Sequence, residues 1–114
     1  MKTLALLLAL LPAGFRLEVS PHVGIAPQDL HVRVFVARDA ENRWLDVWAV
    51  GDGFSRATGV QMHGGETPGV FDWWWIALPC GAYVVRARVT RQDGSTRDAQ
   101  DSARIVGAPC EGLP

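Results

Sequence analysis

The chain has 114 residues, a formal net charge of −1, three histidines and two cysteines, which suits one packed core and leaves no room for a second domain. Arg33, Arg38, Arg43, Arg56, Arg86, Arg88, Arg91, Arg97 and Arg104 are interleaved with carboxylates. No concentrated basic surface forms, so nucleic acid is not an expected partner.

Residues Met1 to Gly14 read as a signal peptide. Lys2 gives a positive start, Thr3 to Leu11 an apolar stretch, and Pro12-Ala13-Gly14 a small-residue exit, with cleavage expected near Ala13 or Gly14. About ten apolar residues are too few for a bilayer core that takes roughly 20 in a helix. The mature chain, residues 15–114, is therefore expected to be one domain, secreted, periplasmic or at the cell surface, without membrane insertion. Its formal charge drops from −1 to −2 once Lys2 is gone. In an oxidising compartment Cys80 and Cys110, the only cysteines, form a disulfide candidate. The bridge would close a loop of about 30 residues and contribute roughly 3 to 4 kcal/mol on the chain-entropy model.

Arg16 to Ser20 predicts a short first strand, and Pro21, Gly24 and Pro27 mark the segment after it as a loop. Leu30 to Arg38 alternates, with Leu30, Val32, Val34 and Val36 on one face. Arg38 to Asn42 is a polar turn. Arg43 to Val50 alternates again, placing Leu45, Val47 and Ala49 inward and Trp44, Asp46 and Trp48 outward, and Gly51-Asp52-Gly53 stops it.

Ser55 to His63 predicts a weaker strand with Val60 and Met62 as its core contacts, followed by the breaker cluster Gly64 to Gly69. Val70 to Leu78 is aromatic and branched, hence a strand. Phe71, Trp73 and Trp75 are assigned inward, because Asp72 shares the other face with Trp74 and an unpaired carboxylate is costly to bury. Tyr83, Val85, Ala87 and Val89 alternate inward against Arg86, Arg88 and Thr90. Gln92-Asp93-Gly94-Ser95 is a hairpin turn, its Asp-Gly pair being a strong signal. Thr96 to Val106 is the last strand, with Ala103 and Ile105 inward. About seven strands and no amphipathic helix predict an all-β antiparallel sandwich and exclude a parallel α/β sheet.

The segments Asn42 to Val47, Leu78-Pro79-Cys80-Gly81-Ala82-Tyr83-Val84-Val85 and Gln92 to Ser95 resemble those of bacterial immunoglobulin-like or fibronectin type III sandwich domains. The resemblance implies a tyrosine-corner role for Tyr83, its ring in the core and its hydroxyl bonded back to backbone. The Cys, Trp, Cys arrangement of antibody domains is absent, so immune-type recognition is not implied.

Signals for chemistry are weak. Gly53-Phe54-Ser55-Arg56-Ala57 approaches a nucleophile elbow and His63-Gly64-Gly65 an oxyanion loop, but the final glycine is alanine and the strand-to-helix context is missing. His22, His31 and His63 fall on different elements without metal-ligand spacing. The pairs Asp98 with Asp101 and Asp39 with Glu41 read as solvated charges, and Asp52 or Asp93 could at most join a calcium cage that nothing completes. No enzyme activity and no cofactor is expected. Trp44, Trp48 and Trp74 are the candidate ligand or partner contacts, since three consecutive tryptophans, Trp73 to Trp75, must send at least one outward. The expected function is a secreted, non-catalytic structural or adhesive module, or a subunit of an extracellular assembly, binding a protein surface or its own copies, with Phe15 to Val19 as a donor strand. The alternative is a carbohydrate-binding module that stacks polysaccharide on the tryptophans.

Overall fold

A computed structural model describes residues 14–51, 54–64 and 69–107. The signal-peptide segment up to Ala13, Asp52 and Cys110 lie outside them. Eight strands form: β1 (Phe15–Ser20), β2 (Val23–Ile25), β3 (Gln28–Val36), β4 (Asn42–Gly51), β5 (Phe54–Gln61), β6 (Val70–Leu78), β7 (Gly81–Arg91) and β8 (Thr96–Val106). They make two sheets, β1-β3-β6 and β2-β8-β7-β4-β5, with every neighbouring pair antiparallel except β2 with β8. The all-β sandwich expected from alternation is the fold.

The core lies between the sheets and is built from the residues that alternation turns inward. β3 supplies Leu30, Val32, Val34 and Val36, β4 supplies Leu45, Val47 and Ala49, and β7 supplies Tyr83, Val85, Ala87 and Val89, all buried. Branched and aliphatic side chains at every second position suit a pleated, half-buried surface, and burying each valine or leucine stabilises by about 1.5 to 3 kcal/mol before entropy. Trp75 and Met62 are buried, Phe71 and Trp73 pack partly against the core, and Val60 is half-buried.

Tyr83 closes one end. Its ring is fully buried, and its hydroxyl donates to the Pro79 carbonyl at 2.6 Å, the bond expected of a tyrosine corner. Gly51 leaves it space, because a Cβ there would stand 2.5 Å from the ring.

Two expectations are corrected. The segment after β1 is not wholly loop: between the cis bonds Ser20-Pro21 and Ala26-Pro27, β2 runs parallel to β8, held by Arg104 N–H on the His22 carbonyl (2.7 Å) and Ala26 N–H on the Val106 carbonyl (2.8 Å). Three residues between prolines are too short for alternation to register. Phe15 to Val19 is not a detached donor strand. All six residues of β1 pair with β3, and Leu17 and Val19 are buried in their own core.

β6 changes phase near its end. Leu30 faces Trp75 and Gln28 faces Leu78, so Asp29 stands against both Ile76 and Ala77. Ala77 adopts φ 55°, and its N–H donates to Asp29 Oδ1 at 2.8 Å. The extra residue lets both Trp75 and Leu78 face inward.

Candidate functional site

Register decides which polar side chains meet on the outer face of the larger sheet. Across β4, β7 and β8, Trp48 aligns with Arg86 and Gln100, Asp46 with Arg88 and Asp98, and Trp44 with Thr90 and Thr96. Directly opposed side chains on one face interact, so three rows of mixed aromatic and charged groups result.

Two rows are locked internally. Arg88 Nε donates to Asp98 Oδ1 at 2.7 Å and its guanidinium lies 5.9 Å from the Trp48 ring. The hydrogen bond from Arg88 holds the Asp98 carboxyl below its ordinary pKa, and the same bond raises that of Arg88. Trp44 Nε1 donates to Asp46 Oδ1 at 2.7 Å, and its ring lies over Gly59 on β5, where a Cβ would come within 3.0 Å. A glycine in mid-strand thus marks a close approach.

The third row is open. Trp48, Arg86, Arg88, Asp98, Ala99 and Gln100 line a depression of about 240 Å³. Among the described residues no hydrogen bond or ion pair engages the exposed Arg86 guanidinium, whereas Arg88 is committed to Asp98. Its floor is Trp48, half-buried.

The tryptophans singled out from sequence do not share a surface. Trp44 and Trp48 lie on the larger sheet, while Trp74 lies on the outer face of β1-β3-β6. There Trp74, 60% exposed, stacks on His31 with ring centroids 4.4 Å apart and planes 3° from parallel. His31 Nε2 meets Asp72 Oδ1 at 2.8 Å, and Arg33 Nε donates to the same oxygen at 3.2 Å.

Other candidate groups are absorbed by structure. Asp101 accepts N–H bonds from Val19 at 2.9 Å and from Ser102 at 2.8 Å, and its Oδ2 lies 3.0 Å from His22 Nε2. Asp39 accepts the Glu41 N–H and pairs with Arg91, and Asp93 accepts the Ser95 N–H and hydroxyl across the hairpin turn. Ser55 sits within β5 rather than at a strand-to-helix turn, so it forms no nucleophile elbow. Cys80 is buried just before β7. Sequence reasoning placed Arg86 outward but missed its significance, because only register shows it beside Trp48 and without a carboxylate of its own.

No protein-family model matches the chain, and no curated protein does. Among solved structures, superoxide reductase (neelaredoxin) from Ignicoccus hospitalis aligns with a TM-score of 0.65 at 17% identity, over 82% of this chain and 80% of that one. The two share a fold. A variant of the same protein aligns at 0.64 and 16% identity, covering 82% and 83%. A sporulation control protein from Bacillus subtilis aligns at 0.50 and 14% identity, over 86% of this chain and 51% of that one.

The superoxide reductase likeness overturns the expected non-catalytic adhesive or assembly module and, with it, the carbohydrate-binding alternative. The first was inferred from the sandwich as a framework for passive surface contacts and the second from tryptophans expected on its surface, and an enzyme uses the same framework. Membership of the fibronectin type III family has no support from any family model.

Proposed function

We propose that this domain binds a small planar carboxylate on the outer face of its larger sheet. The ring would lie against Trp48 and the carboxylate would meet Arg86. The observation that carries the reading is the uncommitted Arg86 guanidinium directly across from Trp48. A guanidinium matches a carboxylate with two parallel hydrogen bonds, and an indole offers a flat apolar face beside it. Gln100, aligned with Arg86, adds an amide donor and acceptor. Arg88 holds Asp98 by direct hydrogen bonding, and Arg86, which acts on that carboxylate only at a distance, keeps its donors available to an anion. About 240 Å³ is smaller than the roughly 300–1,000 Å³ of drug-sized sites, which favours a single-ring ligand.

Superoxide reduction, suggested by the fold likeness, fits the side chains less well. One-electron chemistry on superoxide calls for a redox-active group, and a metal ion would need several convergent donors. Among the described residues no three His, Cys, Asp or Glu side chains converge, and His22 and His31 are each engaged by a separate aspartate.

Calorimetric titration with benzoate and ring-substituted benzoates, beside the matching neutral amides, tests the proposal. The carboxylates should bind at least about tenfold more tightly than their amides, and Arg86→Gln should erase that preference. Equal binding of acid and amide, or an Arg86→Gln variant with undiminished selectivity, contradicts it.

A further inference from the structure

Among the described residues the four sheet edges are not alike. β2 is three residues long, β1 carries Arg16 and Glu18, and β5 carries Arg56 with polar Ser55 and Thr58 beside it. Short length and charge are means by which edges resist pairing with another chain. β6 runs for nine residues without Pro or Lys, and Val70, Trp74 and Ile76 are 43%, 60% and 57% exposed. Its one charge, Asp72, is drawn onto the sheet face by His31 and Arg33 rather than guarding the edge.

We propose that β6 pairs antiparallel with β6 of a second copy, joining two three-stranded sheets into one of six strands about a two-fold axis. The strand's own sequence argues for this occupant. Directly opposed residues in an antiparallel pair share a face, so a two-fold axis must pass through a residue. An axis through Asp72 would set two carboxylates against each other, which is destabilising. An axis through Trp73 sets Val70 against the partner's Ile76 and Asp72 against the partner's Trp74. That register ends before the bulge at Ala77, whose N–H is already given to Asp29. The contact is small beside the roughly 800 Å² per partner of stable interfaces, so the dimer is weak and concentration-dependent.

Sedimentation velocity over roughly 1 μM to 1 mM reads the equilibrium directly. The chain should pass from monomer to dimer across this range. Ile76→Lys and Trp74→Lys should each weaken the dimer by at least about tenfold while keeping the strand-type circular dichroism, whereas Val50→Lys, on the other sheet and 56% exposed in the parent, should leave it unchanged. Two β6 variants are used so that loss of folding in one leaves the other to decide. A monomer throughout, a dimer insensitive to both β6 substitutions, or one equally weakened by Val50→Lys overturns the proposal.

Discussion

Asp101 Oδ2 accepts the Val19 N–H at 2.9 Å, tying an edge strand of one sheet to β8 of the other. The carboxylate also accepts the Ser102 N–H and lies 3.0 Å from His22 Nε2. Burial pushes its pKa up, but the bonds from Val19, His22 and Ser102 outweigh burial and leave it below the ordinary aspartate value. A depressed folded-state pKa means that this contribution is complete above the unfolded value of about 3.9 and is lost as pH falls through the folded one. Asp101→Asn should therefore cost about 1 kcal/mol at neutral pH, and the gap to the parent should close below about pH 4. Urea unfolding at pH 7 and pH 3 measures both.

Tyr83→Phe keeps the ring in its core site and removes the hydroxyl that bonds Pro79, so it should destabilise by about 1 kcal/mol, with the Pro79 carbonyl turned to water. Tyr83→Ala should cost about 3 to 5 kcal/mol through the cavity left behind. Chemical denaturation of the two variants separates the hydroxyl from the ring.

Gly59→Val tests whether Trp44 rests on β5. Strand propensity favours valine by up to about 1 kcal/mol, but its Cβ would come within 3.0 Å of the indole. Trp44 is 40% exposed and can swing outward, so stability should change by less than about 1 kcal/mol while Trp44 gives up its bond to Asp46. A red-shifted tryptophan emission is the expected signature.

The Cys80–Cys110 bridge expected from sequence is checked by intact mass before and after reduction of exported protein. Alkylation without reductant should leave both cysteines unmodified, because their sulfurs are joined. Replacing both cysteines by serine should cost about 3 kcal/mol. N-terminal sequencing of the same material tests cleavage near Ala13 or Gly14.

Alternation made the core readable, since Leu30, Val32, Val34 and Val36 are buried where period two places them and Tyr83 to Val89 follow the same rule. Local signals also fixed the Asp93-Gly94 turn, where Gly94 takes φ 87°. Long-range pairing was not readable. Nothing local to Val23–Ile25 announces a parallel partner 81 residues away at Arg104 to Val106, and nothing local to Trp74 shows that it lies on the opposite sheet from Trp44 and Trp48. The candidate site depends on this pairing, because Trp48, Arg86 and Gln100 come from three strands. Asp98 and Asp101 illustrate the same limit: three positions apart, they point to opposite faces, one to Arg88 and the other to Val19 and His22.

The most direct test follows the arginine Nε–H groups by nitrogen NMR while benzoate is added. The Arg86 signal should shift saturably, and that of Arg88, already held by Asp98, should stay in place. A shift confined to Arg88, or none at either arginine, would contradict the assignment of Arg86 as the group that meets the ligand.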